Sequence, residues 1–342
     1  MPGLDVFNSN AFSMQSLTAR LLDRAHRPMR LGEMGLFQAE GVRTTSISVE
    51  RQGNTLVLVQ TTPRNAPAVQ NTKDSRTLRS FDTVRIALED SVTADEVQNV
   101  RAFGSETEVD TFLAEIDRRA DRMSGSIGVT EEFHRIGALK GLILDADGAT
   151  ILDLNAAFGV SAQSEVDFAM DVGDSPTERS LTDKISAIIR TIEDELDGLP
   201  YTGIHAMCSS QFFDDLVGHP AVRDIFKGYA QGAEPARERK ARTGRVFPFG
   251  GVDFEEYRGT VGGTKYVADN KAHFFPIGVP ELFITRYAPA EYIETVGTVG
   301  LPRYVFINPD GSDPKHKRTV RVQSQAIHLM TRPRAQVLAK RT

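Results

Sequence analysis

Tryptophan is absent from these 342 residues, and cysteine occurs once, at Cys208. A single thiol excludes an internal disulfide framework and any multi-cysteine zinc or iron–sulfur site within one chain. It fits synthesis in a reducing cytoplasm. No uninterrupted apolar run approaches the roughly 18–20 residues that a membrane-spanning helix needs. Met1 to Arg30 hold no continuous hydrophobic core of a signal peptide. Membrane insertion and secretion are therefore not expected. The usual catalytic signatures are missing too: no Gly-x-x-x-x-Gly-Lys-Ser/Thr loop, no Gly-x-Ser-x-Gly elbow, no His-Glu-x-x-His pair and no Gly-x-Gly-x-x-Gly turn. The seven histidines are dispersed, and none stands four residues from another.

What is present describes an ordinary globular chain of mixed structure. Apolar residues make up 40% and charged residues 25%, which argues against disorder. The length allows about two domains' worth of core. The balance of 40 Lys+Arg against 46 Asp+Glu gives a net charge of −6, which disfavours a general nucleic-acid coat.

Along the chain, the first forty or so residues read as an arm, with Phe7, Phe12, Leu17, Leu21 and Leu22 scattered among Ser, Asn and Arg. Such an arm either docks onto another molecule or forms a helix packed on its own domain. From Thr44 the period changes to two, and Gly53-Asn54 offers a tight turn, so Thr45–Val59 is predicted as a hairpin. Thr61 to Ser80 carries little apolar material and reads as a projecting loop. A third strand is predicted through Phe81, Val84, Ile86 and Leu88. Thr93-x-x-Glu96 has the form of a capping box. It opens a long helix, or one twice broken around Gly104 and Gly125–Gly128, that runs to Gly141. Asp145-Ala-Asp-Gly148 reads as a hairpin turn; as a calcium loop its glycine comes too early and no Glu follows at the right spacing. Ser161–Arg179 is polar enough for a domain boundary. Leu181, Ile185, Ile188, Ile192 and Leu196 mark an amphipathic helix capped by Ser180, followed by a buried strand at Ile204–Cys208 and a helix capped by Ser209 or Ser210.

Candidate chemistry is sparse. Cys208 precedes a helix start, where a thiol is acidified, so a nucleophile assisted by His205 or His219 is one reading. A core position beside Ala206-Met207 is the other, and the adjoining apolar residues favour it. Two basic clusters, Arg237–Arg245 and the tail from Lys315, lack interleaved aromatics. That favours contact with acidic surfaces of neighbouring copies over nucleic acid.

A series of motifs lies between Phe247 and Pro333: Phe247-Pro-Phe-Gly-Gly-Val-Asp-Phe-Glu-Glu-Tyr-Arg-Gly259, Phe275-Pro-Ile-Gly-Val-Pro-Glu-Leu-Phe283, Tyr287-Ala-Pro-Ala-Glu-Tyr292, Gly300-Leu-Pro-Arg-Tyr304 and Thr331-Arg-Pro333. This series closely resembles the major capsid protein E family of tailed phages. The resemblance implies an α+β fold of the Hong Kong 97 type, divided into an N-terminal arm (1–43), an extended β-hairpin loop (44–90), a peripheral domain with a long spine helix (91–177), an axial domain (178–315) and a return to the peripheral domain (316–342). It also implies a subunit that self-assembles into the hexamers and pentamers of an icosahedral head enclosing double-stranded DNA without sequence-specific binding. An encapsulin-like shell component is the alternative.

The resemblance brings no catalytic residue, cofactor or metal. The implied partners are many copies of the chain itself, a separate scaffolding protein, a portal and a decoration protein, with no membrane. The implied location is the virion capsid, assembled in the host bacterial cytoplasm. Lys73, Asp74, Arg76, Arg79, Arg237, Arg239, Lys240 and Arg242 are the candidate subunit-interface residues, chosen because they lie in the projecting loop and the basic cluster.

Overall fold

A computed structural model describes residues 13–23, 29–52, 76–93, 108–170, 181–220, 222–223, 245–261, 263–308 and 317–342. Helix α1 spans Met14–Leu22 and starts where the Ser13 side chain accepts from the Ser16 amide. Its Leu17 and Leu21 pack against Ile116, Ala120 and Val305, so this part of the arm docks on its own chain. A short helix α2, Arg30–Glu33, leads to strand β1, Gln38–Gly41.

Strand β2, Ser46–Gln52, pairs antiparallel with β3, Arg76–Asp82, in register Ser46↔Asp82. This corrects the local hairpin expected at Thr45–Val59: the described partner of β2 begins at Arg76, and Gly53-Asn54 and Leu56–Val59 lie outside the described residues. The expected third strand is two. Thr83 separates β3 from β4, Val84–Thr93, and β4 joins a different sheet. Thr93 is the last residue of that strand, and the helix start expected after it lies outside the described residues. Thr93 pairs with Lys317.

Helix α3, Glu108–Lys140, runs unbroken for 33 residues through Gly125, Gly128 and Gly137. The expected interruption at Gly125–Gly128 is not there. Gly137 has a packing reason: a Cβ would meet the Leu142 carbonyl at 2.9 Å. Strands β5 (Leu142–Leu144) and β6 (Thr150–Asp153) form the hairpin expected around Asp145–Gly148. Its turn is closed by Asp145 and Asp147 side chains bonding backbone amides, with Gly148 at φ 86°. Helix α4 (Leu154–Phe158) and strand β7 (Val166–Asp167) follow. Phe168 and Met170 are buried in the main core, while Ser161, Ala162, Ser164, Glu165 and Asp167 before them are exposed.

Helix α5, Leu181–Leu196, buries Leu181, Ile185, Ile188, Ile192 and Leu196, the five positions its periodicity marks. The cap expected at Ser180 lies outside the described residues. Strand β8 (Gly203–Cys208) runs into helix α6 (Ser210–Gly218), capped by Ser209. Strands β9 (Val246–Phe249) and β10 (Val252–Glu256) form a hairpin whose two turn residues, Gly250 and Gly251, both have positive φ. That is the two-residue turn matched to strand twist. The short pair β11 (Thr260–Val261) and β12 (Thr264–Lys265) precedes β13 (Lys271–Ile277) and β14 (Phe283–Tyr287). The chain ends with β15 (Tyr304–Asn308), β16 (Lys317–Met330) and β17 (Val337–Lys340).

Two main sheets result. One has six strands in the order β7-β17-β13-β8-β10-β9; the other joins β1-β14-β16-β15, with β4 also on β16. The last segment thus enters both sheets, β16 in one and β17 in the other. Long helix α3 lies against β16 and β4. The first half of β16 buries alternate residues, as a sheet with one covered face does, whereas every residue from Val322 to Met330 is buried. That second half brings Gln323, Ser324, Gln325 and His328 into the interior.

Candidate assembly surface

Where α2, α3, β10 and β16 converge, the interior is ionic. Glu131 and Glu132 of α3 are buried. Arg303, also buried, grips Glu131 with two hydrogen bonds of 2.6 and 3.0 Å, and the Ser324 hydroxyl donates to it at 2.7 Å. Glu132 accepts the Leu31 amide at 2.7 Å. Burial raises its carboxyl above the ordinary value, against the pull of the Leu31 amide and Arg135. Across the junction, Arg30 makes two bonds of 2.5 and 2.7 Å to Glu255, which His205 meets at 3.0 Å. Burial alone would raise Glu255, but these two partners bring it below the ordinary carboxylate value. Residues from the N-terminal segment, the long helix and both sheets are thus tied by buried charge. The rarity of unpaired charge in interiors makes this a geometrically demanding arrangement.

A cavity of about 260 Å³ lies beside the junction, lined by Ser80–Asp82, Ile143, Leu152 and the imidazoles of His134 and His328. The two rings, far apart in sequence, are 6.4 Å apart. His328 Nδ1 pairs with the Thr285 hydroxyl at 2.8 Å, and neither Nε2 has a protein partner. Burial pushes both imidazoles below their ordinary value.

The motifs that stood out in the sequence acquire reasons here. A Cβ on Gly300 would overlap the Tyr287 carbonyl, and the Gly300 amide bonds the Val42 carbonyl at 2.8 Å. Arg303 is the Glu131 partner, and the Tyr304 hydroxyl accepts the Leu301 amide at 2.9 Å. Arg332 donates to the carbonyls of Glu195 and Leu196, closing the C-terminus of α5. Cys208 is fully buried, and burial drives its thiol well above the ordinary value. That is opposite to what a nucleophile requires. His205, beside it in sequence, is the Glu255 partner.

The exterior carries the opposite chemistry. Ile293 is 94% exposed and Val296 78%, with Val299 and Leu301 also exposed, all on the connection between β14 and β15. Leu78 of β3 is 67% exposed. An open groove of about 1120 Å³ runs along β2, walled by Val42, Ile47, Val49, Leu282 and Ile284. Of the interface residues expected from sequence, Lys73, Asp74, Arg237, Arg239, Lys240 and Arg242 lie outside the described residues. Arg76 opens β3. Arg79 donates its guanidinium to the Ala157 carbonyl at the end of α4, an intrachain use. Ile293 and Val296 stand outside every cationic cluster, and their signal in the sequence is two β-branched residues in a segment between strands.

A family model described as phage major capsid protein E matches residues 13–341. The major capsid protein of Pseudomonas phage KPP10 is 31% identical over 303 residues, covering 82% of this chain and 84% of that protein. The major capsid protein of Salmonella phage Felix O1 is 25% identical over 328 residues, covering 86% of this chain and 87% of the relative. Among solved structures, the putative capsid protein of a prophage of E. coli CFT073 superposes with a TM-score of 0.60 at 13% identity, covering 96% of this chain and 99% of that one. The long helix, the two-stranded ribbon β2–β3 and the two sheets are the architecture of the Hong Kong 97 capsid fold. The chain belongs to the phage major capsid protein E family and is a capsid structural protein of that fold.

Proposed function

We propose that this capsid subunit forms hexamers and pentamers that close into an icosahedral head around double-stranded DNA, and that it acts without catalysis. The observation that carries this reading is the ribbon β2–β3. Its described strands pair only with each other, and it presents Leu78 to solvent. A two-stranded ribbon is marginal by itself, and apolar surface on it has use when a neighbour covers it. The division into arm (1–43), extended loop (44–90), peripheral domain (91–177), axial domain (178–315) and C-terminal return (316–342) belongs to the same proposal. So do contacts through Lys73, Asp74, Arg76, Arg237, Arg239, Lys240 and Arg242.

Assembly in the bacterial cytoplasm with a scaffolding protein, a portal and a decoration protein completes the reading. The net charge of −6 suits a container that holds DNA without adsorbing it, since phosphate affinity grows with each cationic contact. The encapsulin-like alternative has less support, because the matched family and both named relatives are phage capsid proteins. Electron microscopy of the expressed chain, with and without a co-expressed scaffold, tests the proposal. Six-fold and five-fold capsomers in closed shells support it; open tubes or a small monomer under all conditions contradict it.

A further inference from the structure

Two imidazoles meet where helix α3 faces strand β16. His134 and His328 are both buried, their ring centroids are 6.4 Å apart, and both line the 260 Å³ cavity beside β3. Each Nε2 is buried and has no protein partner. An orphaned buried nitrogen is uncommon in a folded protein and points to a missing ligand. The His328 ring is already held in place: its Nδ1 pairs with the Thr285 hydroxyl at 2.8 Å, and the Phe37 ring meets it edge-on at 6.1 Å. With the proton on Nδ1 and donated to Thr285, the Nε2 lone pair is free, which is how metal-binding histidines are oriented. Burial keeps both rings below their ordinary value, so they are neutral at pH 7, the form that binds metal.

We propose that His134 and His328 together bind one divalent transition-metal ion of the zinc class, with water completing its coordination. Imidazole nitrogen selects zinc, cobalt, nickel or copper over magnesium and calcium, which take oxygen ligands. A zinc ion about 2.1 Å from each Nε2 sets the ring centroids roughly 5–6.5 Å apart. The observed 6.4 Å falls within that range. The cavity has room for the ion and its waters. Among the described residues no group of three His, Cys, Asp or Glu forms a ready metal cage, so the protein supplies two ligands. The surrounding charge admits a cation. Arg303 is paired with Glu131, and Arg135 with Glu131 and Glu132. The Asp145 carboxylate acts on His134, and Asp82 lines the cavity. A bound ion ties the long helix to β16 directly beside Ser80–Asp82 of β3, a role that does not depend on the shell-forming reading.

The test uses the full chain without a histidine tag, cleared of metal by chelator and dialysis. Calorimetric titration with Zn²⁺ alone shows uptake of one ion per chain, and Mg²⁺ shows none. Co²⁺ gives the visible absorption of nitrogen-ligated cobalt. His134→Gln and His328→Gln each raise the Zn²⁺ dissociation constant by about tenfold or more, with folding checked by circular dichroism. Thr285→Val leaves both Nε2 atoms in place and removes only the partner of Nδ1, and it raises the constant by about tenfold. Zn²⁺ lifts the unfolding midpoint of the wild type and leaves that of the double histidine variant unchanged. If a histidine variant fails to fold, the cobalt spectrum of the wild type and the Thr285→Val titration decide. No stoichiometric Zn²⁺ uptake by the wild type overturns the proposal. So does undiminished uptake by the folded variants, which places the ion on other histidines.

Discussion

Around Glu131 the protein buries charge, and around Ile293 it exposes hydrocarbon, although Arg303, the partner of Glu131, stands only ten residues after Ile293. In the junction each buried carboxylate has a named partner: Arg303 and Ser324 for Glu131, Leu31 for Glu132, Arg30 and His205 for Glu255. On the loop, Ile293 has almost no protein around it. An isolated globular protein places its charge and hydrocarbon the other way round. The inversion makes sense in a subunit whose interior must hold separate pieces in one register while its exterior waits for neighbours. Buried ion pairs contribute little net stability but penalise misalignment heavily. Exposed apolar anchors contribute nothing to the monomer and a great deal to assembly.

The comparison can be broken at several points. Arg303→Ala leaves Glu131 buried without its bidentate partner, and subunit stability falls by about 3–5 kcal/mol, read from denaturant unfolding. Gly300→Ala drives a methyl into the Tyr287 carbonyl, a backbone atom that cannot rotate away. A loss of about 2–3 kcal/mol follows, by the same measurement. Acid sharpens the picture of the interior. His273, held by burial and by nearby Lys140 and Lys271, titrates near 3. Its folded value is depressed, so the unfolded state takes up the proton first. The stability is fully present above the unfolded value and is lost as pH falls from about 6.5 towards 3, by about 2 kcal/mol between pH 6.5 and 5 for this one residue. His273→Gln flattens that slope in unfolding measured against pH.

The smallest effect belongs to the long helix. Gly125 has open space where a Cβ would stand, so Gly125→Ala stabilises the isolated subunit by about 0.5–1 kcal/mol. A rise in the unfolding midpoint checks it.

Local pattern carried far in this chain, and long-range partnership did not. The amphipathic helix at Leu181–Leu196, the Asp145–Gly148 turn and the buried strand ending at Cys208 follow from periodicity and turn chemistry within a few residues. The β2–β3 pairing escaped because Gly53-Asn54 offered a nearer turn than the partner at Arg76. Glycines in α3 looked like breaks, yet Gly137 is there for a close approach to Leu142 and Ile143, which only the fold reveals. Nothing in the local pattern around Glu131 marks it as buried. Its partners, Arg303 and Ser324, lie 172 and 193 residues away. The assembly surface was sought in cationic runs, whereas among the described residues the more exposed feature is hydrocarbon on a rigid loop.

The central claim is that folding and assembly are assigned to different residues only a few positions apart. Arg303→Ala and Ile293→Glu, compared with the wild type in one experiment that reads both unfolding midpoint and particle formation, test it most directly. The account predicts that Arg303→Ala lowers the midpoint and loses particles as a consequence. Ile293→Glu keeps the midpoint and loses particles alone. Equal midpoint losses in the two variants, or full assembly by Ile293→Glu, would contradict it.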